Sequence, residues 1–230
     1  MIQLDPIKHF DRHLNTTELA LMNSLDSPLK IQTFLDETPY STEPIYRSPL
    51  SVLRDHRAHC FDGALFAAAA LRRLGYPPLI VEMLPNERDD DHLLAVYKRS
   101  NHWGAVAKSN FVGLRYREPI FRTLRELILS YFEDYFNIVG EKTLRGYTLP
   151  LNLTICDRWN WMTDDEHLDE IANHLDRQRR VNLLTPEMEQ NLAPVDQRML
   201  KAGLLGSNPG GLYKPDKKII DPNDRNNFRS

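Results

Sequence analysis

CFDGALFAAAALRRLGYPPLIVEMLPNERDDDHLLAVYKRSNHWGAVAKSN, residues 60–110, decides how this chain folds. It opens on a cysteine. Residues 60–74 are almost wholly apolar apart from their last arginines, and a helix apolar on all sides belongs inside a core. Gly75 follows, a residue suited to the left-handed turn that ends a helix. PPLIVEML, residues 77–84, reads as a buried strand. HLLAVYKR (92–99) and HWGAVAKSN (102–110) read as two more strands joined by a short polar turn, a hairpin. The order is a buried helix headed by Cys60, a strand, a strand headed by His92, and a third strand.

Working outward, residues 1–47 form an N-terminal helical extension. TTELALMNSL has helical spacing of Leu19, Met22 and Leu25, and SPLKIQTFLDE starts with Ser27 as N-cap and Pro28 at the first helical position. SPLSVLRDH repeats that Ser-Pro start, and the core runs from residue 48 to residue 155. Within it, residues 119–136 are expected to form one amphipathic helix beginning at Pro119, with Leu124, Leu127, Ile128, Tyr131, Phe132 and Tyr135 on its apolar side. YTLPLNLTI suggests a further strand. Residues 156–206 read as a C-terminal helical segment, and residues 207–230, rich in Pro, Gly and Asn, as an extended tail. The fold class is α+β, a cysteine-bearing helix packed on an antiparallel sheet with extra helices at both ends.

Composition narrows the function classes. Over 230 residues, 41% hydrophobic content supports a real core, and a net charge of −3 gives no electrostatic case for nucleic acid. Two cysteines make no disulfide framework. No signal peptide or membrane-length apolar run is present, so a cytoplasmic setting is the default and no membrane partner is expected. Neither a P-loop nor GxGxxG occurs, and no cofactor is called for.

Cys60 carries the chemistry. A helix N-terminus presents unpaired N–H groups and partial positive charge, which favour thiolate, and a histidine on a neighbouring strand can serve as base. Against this stands the common buried cysteine, a small hydrophobe; Cys156, near Trp159 and Trp161, is read that way. Asp89, Asp90 and Asp91 read as a solvated turn that can also raise the pKa of His92. A metal site is the rival chemistry, since His56, His59, Cys60, His92 and His102 lie close in sequence order. Without HExxH or paired CxxC, no metal is expected.

SPLSVLRDHRAHCFDGALFAAAALRRLGYPPLIVEML, with DDHLLAVY after it, resembles the core of the transglutaminase-like superfamily of cysteine enzymes, whose chemistry is papain-like. The resemblance spans roughly residues 28–112, under half the chain. It implies that Cys60 is the nucleophile and His92 the general base. It also implies a third residue, usually Asp or Asn, on the following strand; here the candidates are Ser109 and Asn110. A two-residue turn at Ser100 and Asn101 sets His92 opposite Ser109, and a three-residue turn sets it opposite Asn110. Asn110, the better acceptor for an imidazole N–H, is chosen. The Gln that papain-like enzymes carry before the cysteine is missing from LRDHRAHC, which leaves Arg54, His56 or Trp103 as the second oxyanion donor beside the Cys60 amide, or no second donor at all.

The expected function is thiol-dependent acyl hydrolysis or acyl transfer on an amide or ester carbonyl, with a peptide or small amide or ester as substrate. The alternatives are a non-catalytic scaffold of the same fold that binds a protein partner, and a His/Cys metal-binding protein. The residues do not specify an oligomeric state.

Overall fold

The computed structural model describes residues 5–215. Four short helices come first: α1 (Pro6–His13), α2 (Thr16–Ser24), α3 (Pro28–Glu37) and α4 (Pro49–Asp55). Ser27 and Ser48 cap α3 and α4 by accepting the Lys30 and Ser51 amides, each followed by proline. Then come α5 (Cys60–Arg73), β1 (Leu79–Pro85), β2 (His92–Arg99), β3 (His102–Val106), β4 (Arg117–Phe121) and α6 (Leu124–Leu129). The chain continues through β5 (Leu144–Thr148), β6 (Leu151–Asn152), a 3-10 turn (Leu153–Trp159), α7 (Leu168–Asp176), β7 (Arg180–Asn182), α8 (Pro186–Gln190) and α9 (Gln197–Gly203).

The strands form one antiparallel sheet in the order β4-β3-β2-β1-β5-β7, with β6 also paired to β1. The fold is α+β, and the sheet separates two apolar layers. In β2, Leu93, Ala95 and Tyr97 pack towards α5, while Leu94 and Val96 enter the opposite core with Leu127, Ile128 and Tyr131. Every residue of α5 from Phe61 to Leu71 is buried, as its all-round apolar sequence requires. Gly75 ends it with φ +88°. No helix among the described residues is long and apolar enough to cross a membrane.

Three expectations need correction. The helix expected over 119–136 is split: Arg117–Phe121 is edge strand β4, where a proline lacking an N–H does no harm, and α6 starts only after its cap, Thr123. It stops at Leu129 because the Arg117 guanidinium takes the Ser130 carbonyl at 3.1 Å and lies over the Tyr131 ring. The strand expected in YTLPLNLTI is broken at Pro150 into β5 and β6. Residues 156–206 are not helical throughout, since Arg180–Asn182 pair with β5 as β7. Of the expected extended tail, residues 216–230 lie outside the described residues.

Candidate functional site

Three local devices place Cys60. First, it is residue N1 of α5, and His59 is the N-cap. The His59 ring accepts the Phe61 amide through Nδ1 at 3.1 Å and gives its Nε2 proton to the Ile45 carbonyl at 3.1 Å. Second, Asp62 closes the capping box. It accepts the amides of His59 and Arg47 at 3.2 and 2.8 Å while fully buried, and burial pushes its carboxyl up to about 7. Third, α3 docks on the chain just beyond β3. The Gln32 amide exchanges two 3.0 Å bonds with the backbone of Ala107, and the Lys108 ammonium donates to the carbonyls of Leu35 and Thr38.

That clasp leads into residues 39–41, which bridge to Ala58 through Ser41 N–H to Ala58 O (3.0 Å) and Ala58 N–H to Pro39 O (3.3 Å). Tyr40 thereby arrives beside Cys60. Burial raises its phenol pKa, and the Cys60 backbone amide partly offsets this. Sequence reasoning missed Tyr40, because only the bridge to Ala58 brings it to the helix head. The three donors expected instead lie elsewhere. Arg54 pairs with Glu18, the His56 ring meets Phe34, and Trp103 lies under Lys98.

Cys60 is partly exposed and lines two adjoining cavities. The larger, about 530 Å³, is an open cleft that also touches Tyr40, Tyr46, Glu82, Asp90 and Asp91. The smaller, about 50 Å³, is bordered by both Cys60 and His92. The register places His92 opposite Met83, on the same side of β2 as Leu94. Both residues border the smaller cavity, although that side of β2 faces away from α5. His92 Nε2 lies 2.7 Å from the Leu114 carbonyl. A carbonyl can only accept, so Nε2 carries the proton and Nδ1 keeps the lone pair.

Asn110 is placed differently from the expectation. The hairpin has a two-residue turn, Ser100 and Asn101 both at positive φ, with Arg99 opposite His102. That register runs His92 towards Ser109, but β3 ends at Val106, and the Ser109 hydroxyl accepts the Phe111 amide. Asn110 instead holds the C-terminal arm: its Nδ2 donates to the Asn208 carbonyl at 2.8 Å, and its Oδ1 accepts the Asn208 amide at 2.7 Å. The imidazole is thus oriented by the backbone of Leu114. The arm continues along the cleft, where Gly211 packs so close to Tyr40 that a Cβ there would lie 2.7 Å from its ring.

The electrostatics oppose a resting thiolate. Burial, then Asp91, Asp90 and Asp62, push the Cys60 thiol up, against the smaller opposite pull of the Phe61 amide. Burial lowers His92 to about 4. The helix N-terminus does favour S⁻, but desolvation and three carboxylates outweigh it, so at neutral pH both groups are uncharged. The acidic turn is not simply solvated. Asp89 bonds to Thr143 and is pushed up to about 6 by burial, and the turn leaves His92 depressed rather than raised. Among the described residues no three His, Cys, Asp or Glu side chains converge as metal ligands. Cys156 is buried among apolar side chains.

No family model and no curated protein matches the chain. Among solved structures it is similar to Legionella pneumophila LapG, at 17% identity over 45% of this chain and 70% of that one, with a TM-score of 0.33. It is also similar to the EGTA-treated form of the same protein, at 14% identity over 71% of this chain and 95% of that one, with a TM-score of 0.38.

Proposed function

We propose that the protein is a thiol-dependent acyl hydrolase or acyltransferase of the transglutaminase-like kind, acting on an amide or ester carbonyl. The observation that carries this reading is that Cys60, at the head of a buried helix and open to a cleft, borders one small cavity with a histidine whose Nε2, rather than its Nδ1, is held by a backbone carbonyl. Because both groups rest neutral, the proton moves during attack rather than before it. Cys60 Sγ bonds to the carbonyl carbon as its proton passes to His92 Nδ1, while Nε2–H stays on Leu114. In this reading the Tyr40 hydroxyl, which itself accepts the Cys60 amide, is the donor offered to the developing oxyanion. Collapse expels the amine or alcohol, which takes the proton from Nδ1. Water or an amine then attacks the thioester and gives its proton to Nδ1; collapse releases the acid or amide, and the departing Cys60 sulfur takes the proton back from Nδ1.

The carboxylates that raise the thiol favour a second reading, a scaffold that binds a peptide without cleaving it. Iodoacetamide labelling of the native protein, mapped by mass spectrometry across pH, separates the two. In the enzyme reading Cys60 is modified in the folded state, and His92→Ala slows that modification at least tenfold at pH 7–8. A Cys60 that labels only after unfolding, or at the same rate without His92, overturns it.

A further inference from the structure

The cleft beside Cys60 has an acidic wall without a matching cation. Glu82 projects from β1 on the side of the sheet that carries Ile80 and α5, and it lines the cleft together with Asp90 and Asp91. Glu82 is only 6% exposed, and no N–H or hydroxyl donor among the described residues reaches its Oε2. A buried carboxyl oxygen without a donor is costly and is seldom left so.

Its neighbour is another acid, Asp91; burial first, then the hydrogen bond the two carboxyls share, drive Glu82 up to about 8, so at neutral pH the pair holds one proton between them. None of the ion pairs seen among the described residues includes Glu82, Asp90 or Asp91. The basic groups close by are committed elsewhere. Arg47 is taken by Glu43, Asp55 and Asp62, and His59 by Ile45 and Phe61; His59 acts on Asp90, and Arg180, 4.0 Å from Asp176, acts on Glu82, only as the last-ranked influence on each. The same cleft is lined by Tyr46, stacked on Phe61 at 4.3 Å, and by Tyr40. Aromatic and acidic side chains lining one cleft are the combination that recognises organic cations.

We infer that this wall is a subsite for a cationic side chain, the ammonium or guanidinium of a peptide, held by Glu82 and Asp91 with Asp90 beside them. It names the substrate class for the proposed acyl chemistry and rests on that reading only for the word substrate; binding itself requires no reaction. Occupancy has a second effect. Asp91 and Asp90 are the leading charges that hold the Cys60 thiol up, so a cation seated on them lowers the cost of forming S⁻. The resting cysteine is quiet until the correct side chain arrives.

The test uses the full chain carrying Cys60→Ala, titrated by calorimetry with Nα-acetyl-lysine methylamide, its arginine counterpart and neutral Nα-acetyl-norleucine methylamide. The cationic probes should bind at least tenfold more tightly than norleucine, and Glu82→Gln and Asp91→Asn should each erase most of that margin. Asp91 is exposed at the turn, so its variant keeps the test alive where Glu82→Gln fails to fold. Equal binding of norleucine, or an unchanged margin in the variants, overturns the subsite. On the wild-type chain, aminoethyl methanethiosulfonate should modify Cys60 at least tenfold faster than its sulfonatoethyl analogue, relative to a free thiol. A Cys60 inert to both reagents, in a protein that still prefers the lysine probe, refutes the nucleophile and leaves the subsite standing.

Discussion

Replacing Gly63 with alanine sets a helix preference against a steric contact, and the geometry decides the sign. Gly63 lies in the first turn of α5 and faces Lys108. An alanine Cβ there would fall 2.1 Å from the Lys108 Cβ, 3.1 Å from its Cγ and 3.3 Å from its Cα. Carbon atoms pack at about 3.5–4 Å, so helix and strand would have to part by roughly 1.5 Å. The contact is with the root of the lysine, which cannot swing aside because its ammonium is tied to the carbonyls of Leu35 and Thr38. Alanine in mid-helix gains about 1 kcal/mol over glycine, whereas overpacking a core costs about 1–3 kcal/mol. With a clash this close the upper end applies, and Gly63→Ala should destabilise the protein by about 2 kcal/mol net. At roughly 2–4 °C per kcal/mol for a chain of this size, the melting temperature should fall by about 4–8 °C. Urea unfolding followed by circular dichroism measures the same loss as a lower midpoint at unchanged slope. A variant as stable as the parent would refute the close packing of α5 on residue 108, and with it the placement of Cys60.

Asp62→Ala leaves two backbone amides and one side of the Arg47 guanidinium unpartnered in the interior; a loss of about 3 kcal/mol in urea unfolding is expected, and a loss under 1 kcal/mol contradicts the capping arrangement. Asn110→Ala should free the arm and speed iodoacetamide modification of Cys60 several-fold; a rate lowered at least tenfold, as for His92→Ala, would restore the Asn to a triad role. Stability should depend on pH in two limbs. His92 is lowered on folding from about 6.5 to about 4, so its contribution is full above pH 6.5 and disappears as pH falls through 4. Glu82 is raised on folding, so its contribution is full below pH 4 and is lost as pH rises past the usual carboxyl range. Glu82→Gln should therefore gain on the parent as the pH of a urea series rises from 4 to 9, and a difference independent of pH contradicts the burial of that carboxyl.

Sequence legibility followed the range of the interactions. The extent of α5 could be read because an unbroken apolar run and Gly75 are local signals, whereas its cap, His59 with Asp62, was not read. The hairpin could be read too, but its register hung on whether Ser100 accepts a positive φ, which serine rarely signals. That single residue moved the choice of partner for His92. The helix expected over 119–136 failed because its apolar spacing fits a helix, while the edge of β3 and the reach of Arg117 to Ser130 are tertiary facts. Asn110 meets Asn208 at a separation of 98 residues, and Asp89 meets Thr143 at 54; no local pattern announces either. The carboxylates that raise Cys60 stood in plain sight as DDD, but whether they face solvent or sulfur depends on the turn that carries them.

The arm on Asn110 bears on how the cleft behaves in time. One wall of the cavity is α5 and the sheet, sealed by two apolar cores. Another border is Gly210 to Tyr213, in a stretch held by the two Asn110 bonds to Asn208, a 3.4 Å contact from the Asn208 side chain to Tyr40 O and a 3.5 Å contact from the Tyr213 hydroxyl to Glu87 O. Segments fastened by a few solvent-reachable bonds open locally at far lower free energy than the global unfolding of the domain. Backbone amides of Asn208 and Gly210 should therefore trade hydrogen for deuterium well before those of Ala67 or Leu71. The width of the entrance to Cys60 is then set by an opening equilibrium, and any ligand that prefers one aperture shifts that equilibrium by its difference in affinity for the two.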